Sequence, residues 1–229
     1  MANERSHPLD CPAWTALTSR QTVCGNSQGD ARRFREEIGP FAGAKDNSAQ
    51  SVAALAALAH LNDDMSLLEA APPTPPVGIA LKMSAAGVQM VTRAFTGDGR
   101  SFPIEPLGDA DSAEMIALAT LTRPGPFRAK THTLGRFVGI RDKGRLVAMA
   151  GERMQMPGFV EISAVCTHPD YRGRGYGAAL MRAVGDRILS EGDTPFLHAY
   201  VSNTGAIALY RKLGFELRAE VTHAVWSKA

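Results

Sequence analysis

The spacing of apolar residues from residue 101 onward predicts a regular alternation of strands and helices. Residues 137–141 and 146–153 read as the two strands of a hairpin, joined near Gly144, which can take the positive φ that a tight turn requires. Residues 159–167 are predicted as a strand and residues 175–189 as an amphipathic helix. The other predicted elements are strands at 102–107, 196–201, 215–219 and 223–226, and helices at about 109–119, 128–134 and 204–213.

The first hundred residues follow a less regular pattern. Residues 51–61 favour a helix, with Val52, Leu55 and Leu58 at helical spacing. The proline run at 72–76 must be an extended connector because prolines lack the amide donor. Short strands are expected at 67–70, 78–83 and 88–95. The turn residues at 97–99 mark a boundary, so we expect an N-terminal α/β region at 1–100 and a second domain at 101–229.

The order of these elements predicts the fold class. A hairpin followed by a β-loop-α-β-α-β-β run gives an α/β (α+β) protein with a mixed, mostly antiparallel central sheet flanked by helices. No repeated sequence motif is evident along the chain.

Composition and charge argue against several classes of protein. The formal net charge is only +2 and no long basic run is present, so nucleic acid is not an expected partner. The first ten residues lack an apolar signal segment, and no apolar run is long enough to span a bilayer, so no membrane association is expected. Cys11, Cys24 and Cys166 lack the spacing of metal ligands and read as reduced thiols of a cytoplasmic protein without a bound metal.

The most informative segment is a glycine-rich run between a predicted strand and a predicted helix. It reads Arg172-Gly173-Arg174-Gly175-Tyr176-Gly177. Glycines let the backbone approach a ligand closely, and successive N–H groups at a helix N-terminus form an anion-binding concavity. A diphosphate is the ligand that best matches this geometry.

The same glycines match two common nucleotide-binding loops less well. A dinucleotide-binding loop has its glycines directly after the strand and an acid at the end of the next strand, whereas residues 168–171 intervene here and Ser202 and Asn203 follow the next strand. A nucleoside triphosphate loop needs Lys followed by Ser or Thr, where Ala178 and Ala179 stand. A tight turn without a ligand would not need glycine at every second position.

Two motifs together resemble the GNAT superfamily of N-acetyltransferases. The family's loop consists of Arg or Gln, two residues, Gly, one residue, and Gly or Ala, and it is matched by Arg172, Gly175 and Gly177. Its second element, Asn-x-x-Ala-x-x-x-Tyr-x-x-x-Gly-Phe, is matched by Asn203, Ala206, Tyr210, Gly214 and Phe215. The resemblance covers residues 101–229 and implies the GNAT-like acyltransferase fold.

The resemblance also implies acetyl-CoA as the cosubstrate and assigns residues to it. Peptide groups around Val165, Cys166 and Thr167 would pair with the pantetheine arm like an additional strand, and Asn203 would contact the pantetheine or adenosine portion. Backbone N–H groups of the glycine-rich run would hold the pyrophosphate, with the arginine side chains less important. By analogy with some relatives, residues 1–100 would be a degenerate copy of the fold that packs beside the acceptor cleft without a second cofactor site.

Acyl transfer from a thioester to an amine needs a proton donor for the leaving thiolate and a proton acceptor for the amine. The family motif implies Tyr210 as the acid, and a phenol with an ordinary pKa of about 10 is protonated at neutral pH. Glu161 is the candidate base, directly or through water, with His198 as the alternative. Strand alternation would put Glu161 opposite a single apolar face formed by Val160, Ile162, Ala164 and Cys166. Cys166 is therefore interpreted as a core residue rather than as an acylated nucleophile.

The sequence thus predicts an enzyme, an N-acetyltransferase that moves acetyl from acetyl-CoA to a primary amine of a small molecule or peptide by direct attack in a ternary complex. The alternative is a non-catalytic acyl-CoA-binding or protein-interaction module, which would need neither Tyr210 nor Glu161. The amine acceptor is the expected partner, and the chain is expected to be a monomer or a homodimer. The chemical identity of the acceptor stays open at this point.

Overall fold

The computed structural model describes residues 7–59, 63–97 and 100–229, whose strands form one sheet. The strands are β1 Gly25–Gln28, β2 Ala31–Phe34, β3 Phe41–Ala44, β4 Met65–Glu69, β5 Ile79–Val91, β6 Glu105–Leu107, β7 Phe137–Asp142, β8 Arg145–Met156, β9 Phe159–Thr167, β10 Thr194–Tyr200 and β11 Glu216–Lys228. The helices are α1 Pro12–Leu17, α2 Ala49–Ala57, α3 Ser112–Thr122, α4 Tyr176–Ser190 and α5 Thr204–Lys212. The predicted fold class, a mixed and mostly antiparallel sheet flanked by helices, is confirmed.

Helices cover both faces of the sheet. Neighbouring residues of β10 point to opposite faces, because Phe196 packs in a cluster with Leu17 of α1 whereas Leu197 packs in the cluster under α4. One stripe of α4 is buried against the sheet, formed by Leu180, Val184 and Ile188. These residues are four positions apart and share one helix face, and burying each contributes about 1.5–3 kcal/mol.

The strand order shows how the two halves of the chain meet. It runs β1-β2-β3-β4-β11-β5-β10-β9-β8-β7-β6, so β5 of the first half lies between two strands of the second half. Phe196 of β10 and Glu216 of β11 both pair with Val91, on opposite edges of β5. The sheet is therefore continuous across the boundary predicted near residue 100, although residues 98 and 99 lie outside the described ranges.

The two halves use the same series of strand pairings. Strands β7, β8 and β9 are antiparallel neighbours, and β9 then pairs with β10 in parallel after the crossover helix α4. Strands β1, β2 and β3 are likewise antiparallel neighbours, and β3 pairs with β4 in parallel after α2. The last strands are exchanged, since β5 pairs with β10 and β11 pairs with β4. This arrangement supports the interpretation of residues 1–100 as a degenerate copy, which remains a proposal.

Several predicted elements need correction. The separate strands expected at 78–83 and 88–95 are one strand, β5, and those at 215–219 and 223–226 are one strand, β11. These two strands pair along their whole length, with register shifts at Leu217/Ala219 and Val225/Trp226, and residues 220–222 between the two predicted segments of β11 are paired with residues 86–88 of β5. The helix expected at 128–134 is only a 3-10 turn, Thr131–Leu134.

Helix α1 and strands β1, β2 and β3 were not predicted from the sequence. Each strand has four residues, and β1 reads Gly-Asn-Ser-Gln, without the apolar alternation that marks a half-buried strand. Their position depends on tertiary contacts, such as the packing of α1 against β2 and β3. Local pattern was therefore not sufficient to find them.

Because β5 lies between β10 and β11, we expect residues 101–229 expressed alone to be insoluble or unfolded, with two unpaired strand edges in the centre of the sheet. Residues 1–97 and 98–229 co-expressed as two chains should instead co-purify as a folded complex, since every strand pair can then form. Size-exclusion chromatography and circular dichroism measure both outcomes. A folded, monomeric 101–229 fragment would contradict the central position of β5.

Candidate active site

Strands β9 and β10 separate soon after they begin. Their parallel pairing runs only from Thr194 opposite Phe159 to Phe196 opposite Glu161. Beyond Glu161, the edge of β9 that faces β10 has no strand partner among the described residues. This fork leaves backbone hydrogen-bonding groups of β9 available to a ligand.

A β-bulge lies in the unpaired part of β9. Ser163 pairs with Gly151 and Cys166 pairs with Met149, so β9 has one more residue than β8 over this stretch. The extra residue is marked by Ala164, which has φ 54, a left-handed conformation that costs a non-glycine residue about 1–2 kcal/mol. This bulge changes the direction of β9 beyond Ala164.

Beyond the bulge, the side chains of β9 point to the opposite face of the sheet from the one that regular alternation would give. Val160 and Ile162 pack in the cluster under α4, whereas Ala164 and Cys166 pack on the other face in the cluster of α3. The single apolar face predicted for these four residues is therefore wrong, because alternation does not continue across a bulge. Val165 now packs against the α4 cluster.

Backbone groups of Val165 and Thr167 face the open edge of the fork. The His168 N–H donates to the Val147 oxygen of β8 at 2.8 Å. Since amide direction alternates along a strand, the N–H groups of Thr167 and Val165 point away from β8. This places the predicted pantetheine-pairing groups where an extended ligand could add to the sheet.

The glycine-rich run carries a series of amides without protein partners. Helix α4 has no capping side chain, and its first helical bond runs from the Ala179 N–H to the Gly175 oxygen. The N–H groups of residues 173–178 donate to no described atom. Gly173 has φ 77 and Gly175 has φ 92, which favours glycine at both positions. Together with the helix dipole, these amides form an anion site of the kind that binds a diphosphate.

Side chains of this loop play a smaller part than its backbone. Arg174 lies over the ring of Tyr171, with its Cζ 4.6 Å from the ring centroid. The ring of Tyr176 packs edge-on against Phe102 at 4.9 Å. Arg172 is exposed on the wall of the neighbouring cavity.

A cavity of about 570 Å³ joins the loop to the fork. The predicted site residues that line it are Val165, Cys166, Thr167, Arg172, Gly177, Asn203 and Tyr210. The other predicted loop residues are not in this lining and lie beside it in the chain, namely Gly173, Arg174, Gly175 and Tyr176. The fold therefore brings the two sequence motifs to one cavity.

Helix α5 contributes two polar side chains to this cavity. Tyr210 is half-buried next to Phe215, and burial raises the pKa of its phenol, which is therefore protonated at neutral pH. Its hydroxyl has no hydrogen bond to a described residue. Asn203 caps α5, because its Oδ1 accepts the Ala206 N–H at 3.3 Å. Its motif position thus has a structural reason besides ligand contact.

Glu161 is not placed to accept a proton from a substrate. The residue is fully buried and does not belong to the cavity lining. Its Oε2 accepts from the Arg153 Nε at 2.7 Å, and its Oε1 from the Arg153 Nη2 at 2.5 Å. Burial would raise the pKa of this carboxyl, but Arg153 and His198 outweigh burial and hold the pKa at about 2. The prediction of Glu161 as a direct base therefore conflicts with the geometry.

His198 also has both ring nitrogens engaged. Its Nδ1 is 2.7 Å from the Glu161 Oε1, and its Nε2 is 2.9 Å from the Gln89 Nε2. The Gln89 Nε2 donates to the Leu9 oxygen and the Gln89 Oε1 accepts from the Arg218 Nη1, which fixes the orientation of the amide. The His198 Nε2 must then accept from Gln89, and its Nδ1–H donates to Glu161.

Several cavity-lining residues were not predicted from the sequence. Phe41 and Leu68 come from the first half of the chain, and Tyr200 and His223 from strands on either side of β5. The Tyr200 Oη is 2.7 Å from the His223 Nδ1. Burial, with Arg153 and His198, lowers the pKa of His223 to about 4. No local sequence pattern brings these residues together, since their contact depends on the insertion of β5.

The loop of the first half that corresponds to the glycine-rich run holds a carboxylate. It joins β3 to α2, and the Asp46 Oδ1 accepts the Ser48 N–H at 2.9 Å. Hydrogen bonds from Ser48 and Ser51 lower the pKa of Asp46 to about 2. The Ser48 hydroxyl also caps α2 through the Ser51 N–H. Oxygens of the chain thus occupy this helix start, which supports a single cofactor site.

Cysteine chemistry is disfavoured at the cavity. Burial raises the pKa of the Cys166 thiol to about 11, so it is not a thiolate at neutral pH.

Within residues 7–59, 63–97 and 100–229, no group of His, Cys, Asp and Glu side chains is arranged to hold a metal ion. No helix in the same ranges has the length and apolar character that crossing a bilayer requires.

Similarity to known proteins agrees with this geometry. The family model described as FR47-like protein matches residues 137–227. A GNAT-family protein from Novosphingobium aromaticivorans has a solved structure that superposes with a TM-score of 0.90 at 40% sequence identity, covering 98% of this chain and 100% of that one. The chain belongs to the GNAT family.

Curated relatives of this GNAT protein match it over shorter stretches. The N-alpha-acetyltransferase RimI of Mycobacterium tuberculosis is 37% identical over 83 residues, which is 35% of this chain and 51% of the relative. A mycothiol acetyltransferase of Corynebacterium aurimucosum is 38% identical over 74 residues, which is 32% of this chain and 24% of the relative. The chain thus spans about half of the length of the RimI relative and about a quarter of the length of the mycothiol acetyltransferase.

Gly177 gives a clean test of the anion site, because a Cβ there would meet Val165 and Thr167 only at ordinary contact distances of 3.9 and 4.0 Å. Gly177→Ala should leave acetyl-CoA affinity within a few-fold, since the backbone amide remains. Gly177→Glu should abolish measurable binding, because it directs a negative charge at the diphosphate site. Calorimetric titration of both folded variants measures the difference. Equal affinities would contradict the placement of the diphosphate.

Proposed function

We propose that this GNAT protein is an N-acetyltransferase that transfers acetyl from acetyl-CoA to a primary amine. The observation that carries the proposal is one cavity bordered by the free amides of residues 173–178, the open edge of β9 and the hydroxyl of Tyr210. The names of the curated relatives, both acetyltransferases, agree with it. A folded turn alone would explain none of these three features.

The residues present fit the cosubstrate that the family uses. The N–H groups of residues 173–178 would hold the diphosphate, and the peptide edge at Val165 and Thr167 would pair with the amides of the pantetheine arm. Asn203 lines the same cavity, and its side-chain nitrogen is free for a ligand because only its oxygen caps α5. Acetyl-CoA, when bound, supplies a reactive acetyl thioester.

Tyr210 is the proposed proton donor for the departing thiolate. Its hydroxyl has no described protein partner, lines the cavity and keeps its proton because burial raises the pKa. A positioned acid of this kind typically contributes about 10²–10⁴ in rate. The N–H of Val165, at the bulge, is the proposed donor to the oxyanion that forms during attack.

No protein side chain is assigned as the base. Glu161 has both oxygens bound to Arg153 and His198, and the His198 Nε2 accepts from Gln89. The acceptor amine would therefore give its proton to water in the cavity. This route makes the rate rise with pH as the free amine deprotonates.

Tyr210→Phe should lower kcat by ~10²-fold or more while acetyl-CoA affinity stays within a few-fold, because only the acid is lost. Tyr171→Phe is the matched control, since it removes a phenol hydroxyl that bonds Asp142 outside the cavity. That control should keep kcat within about two-fold of the parent protein. Release of free thiol from acetyl-CoA in the presence of a primary amine measures both.

The same assay separates an enzyme from a binding module. If acetyl-CoA binds but no amine in a broad panel releases thiol, the proposal of acetyl transfer fails. If thiol release is rapid and Tyr210→Phe does not change it, acetyl transfer stands and the assignment of Tyr210 fails.

A further inference from the structure

One guanidinium nitrogen in the cavity wall has no described protein partner. Arg153 is only 8% exposed, and its Nε and Nη2 both donate to Glu161. Its Cζ lies 4.4 Å from the ring centroid of Phe41, which covers one face of the group. No hydrogen bond from the Nη1 to a described residue is formed, and Arg153 lines the cavity.

The position of Arg153 is fixed by the backbone as well as by Glu161. Glu152 pairs with Ile162 and Gln155 pairs with Val160, so β8 has a bulge that contains Arg153. The bulge sets this side chain opposite Glu161 on β9. A buried guanidinium with two bonds and a stacked ring has little freedom to turn, so the direction of the Nη1 is set before any ligand arrives.

We propose that the Nη1 of Arg153 binds an oxygen of the acceptor, and that the acceptors of this enzyme are α-amino carbonyl compounds. This class contains amino acids, their amides and peptide N-termini. The inference rests on the proposed acetyl transfer. An arginine nitrogen only donates, so the ligand atom opposite it must be a hydrogen-bond acceptor. Glu161 already neutralises the guanidinium charge, so an uncharged carbonyl oxygen is sufficient.

The charges of the cavity argue against acceptors with a second ammonium group. No Asp or Glu belongs to its lining among the described residues, whereas Arg123 and Arg172 do. A polyamine or a lysine side chain next to other cationic groups would meet positive charge without a compensating carboxylate. A carbonyl beside the reacting amine meets the Arg153 donor instead.

The remaining walls near Arg153 suit a side chain with apolar surface. Phe41 and Leu68 supply apolar contacts from the first half of the chain. Tyr200 is hydrogen-bonded to His223, which is uncharged at neutral pH. An amino acid derivative with an aromatic side chain therefore fits both the apolar and the polar parts of this end of the cavity.

A matched pair of amines tests the assignment. L-Phenylalaninamide and phenethylamine share the aromatic ring and the amine, but only the first has the carbonyl. We expect kcat/KM for phenylalaninamide to exceed that for phenethylamine by about 10-fold or more, as a hydrogen bond from a charged donor allows. Rates are compared per neutral amine, because the carbonyl lowers the amine pKa. Spermidine should be slower than either.

Arg153→Lys should reduce that preference to under about three-fold, because lysine lacks the third directed nitrogen. Arg20→Lys is the control, since Arg20 forms a comparable two-bond pair with Asp193 on the surface, and it should keep the full preference. If Arg153→Lys does not fold, the double variant Arg153→Met, Glu161→Gln removes the buried pair without leaving a lone charge. The same loss of preference is expected from it.

The outcomes separate this inference from the proposed function. Equal rates for the two amines with the parent protein, or an unchanged preference in a folded Arg153 variant, would overturn the assignment to Arg153 while acetyl transfer stands. Failure to release thiol with any amine would instead overturn the acetyl transfer on which the inference rests.

Discussion

The carboxylate of Glu161 joins three strands at the point where β9 and β10 separate. It lies on β9, receives two bonds from Arg153 of β8 and one from His198 of β10, and belongs to the last paired position before the fork. A buried ion pair of this kind adds little net stability, but losing one partner costs about 3–5 kcal/mol because the other charge is then uncompensated. The open edge of β9 and the fixed guanidinium of Arg153 both depend on this contact. Glu161 thus connects the three strands beside the cavity, and because both of its oxygens are already bonded we assign it no role as the base.

The first half of the chain supplies part of the cavity wall near Arg153. Strand β5 lies between β10 and β11 and brings Tyr200 and His223 together across it, and β3 and β4 bring Phe41 and Leu68 to the same wall. The corresponding cofactor loop of this half has Asp46 where the other half has glycines. One half therefore carries the free amides that we propose to hold a diphosphate, while its counterpart has the same series of strand pairings and contributes residues to the cavity wall.

Features carried by consecutive residues could be predicted from the sequence. The glycine-rich run, the helix that follows it and the fold class were within reach because a phosphate site and an amphipathic helix each need a local pattern. The bulge at Ala164 could not be predicted, since an alanine in the sequence gives no sign of a left-handed conformation. The ion pair of Glu161 with Arg153 could not be predicted either, because a second bulge, in β8, places Arg153 opposite Glu161. Two short predicted strands turned out to be parts of the long strand β5, whose position between β10 and β11 only the tertiary structure reveals.

The proposed function depends on the binding of acetyl-CoA to backbone groups of the glycine-rich run and of the open β9 edge. Residue-resolved amide hydrogen exchange, measured by NMR with and without acetyl-CoA, tests it most directly, because it follows the N–H groups themselves. We expect slower exchange on ligand binding for residues 173–178 and for Val165 and Thr167, with no change for residues 46–51 of the first half. Unchanged exchange at residues 173–178 in the presence of bound acetyl-CoA, or protection at residues 46–51 instead, would contradict it.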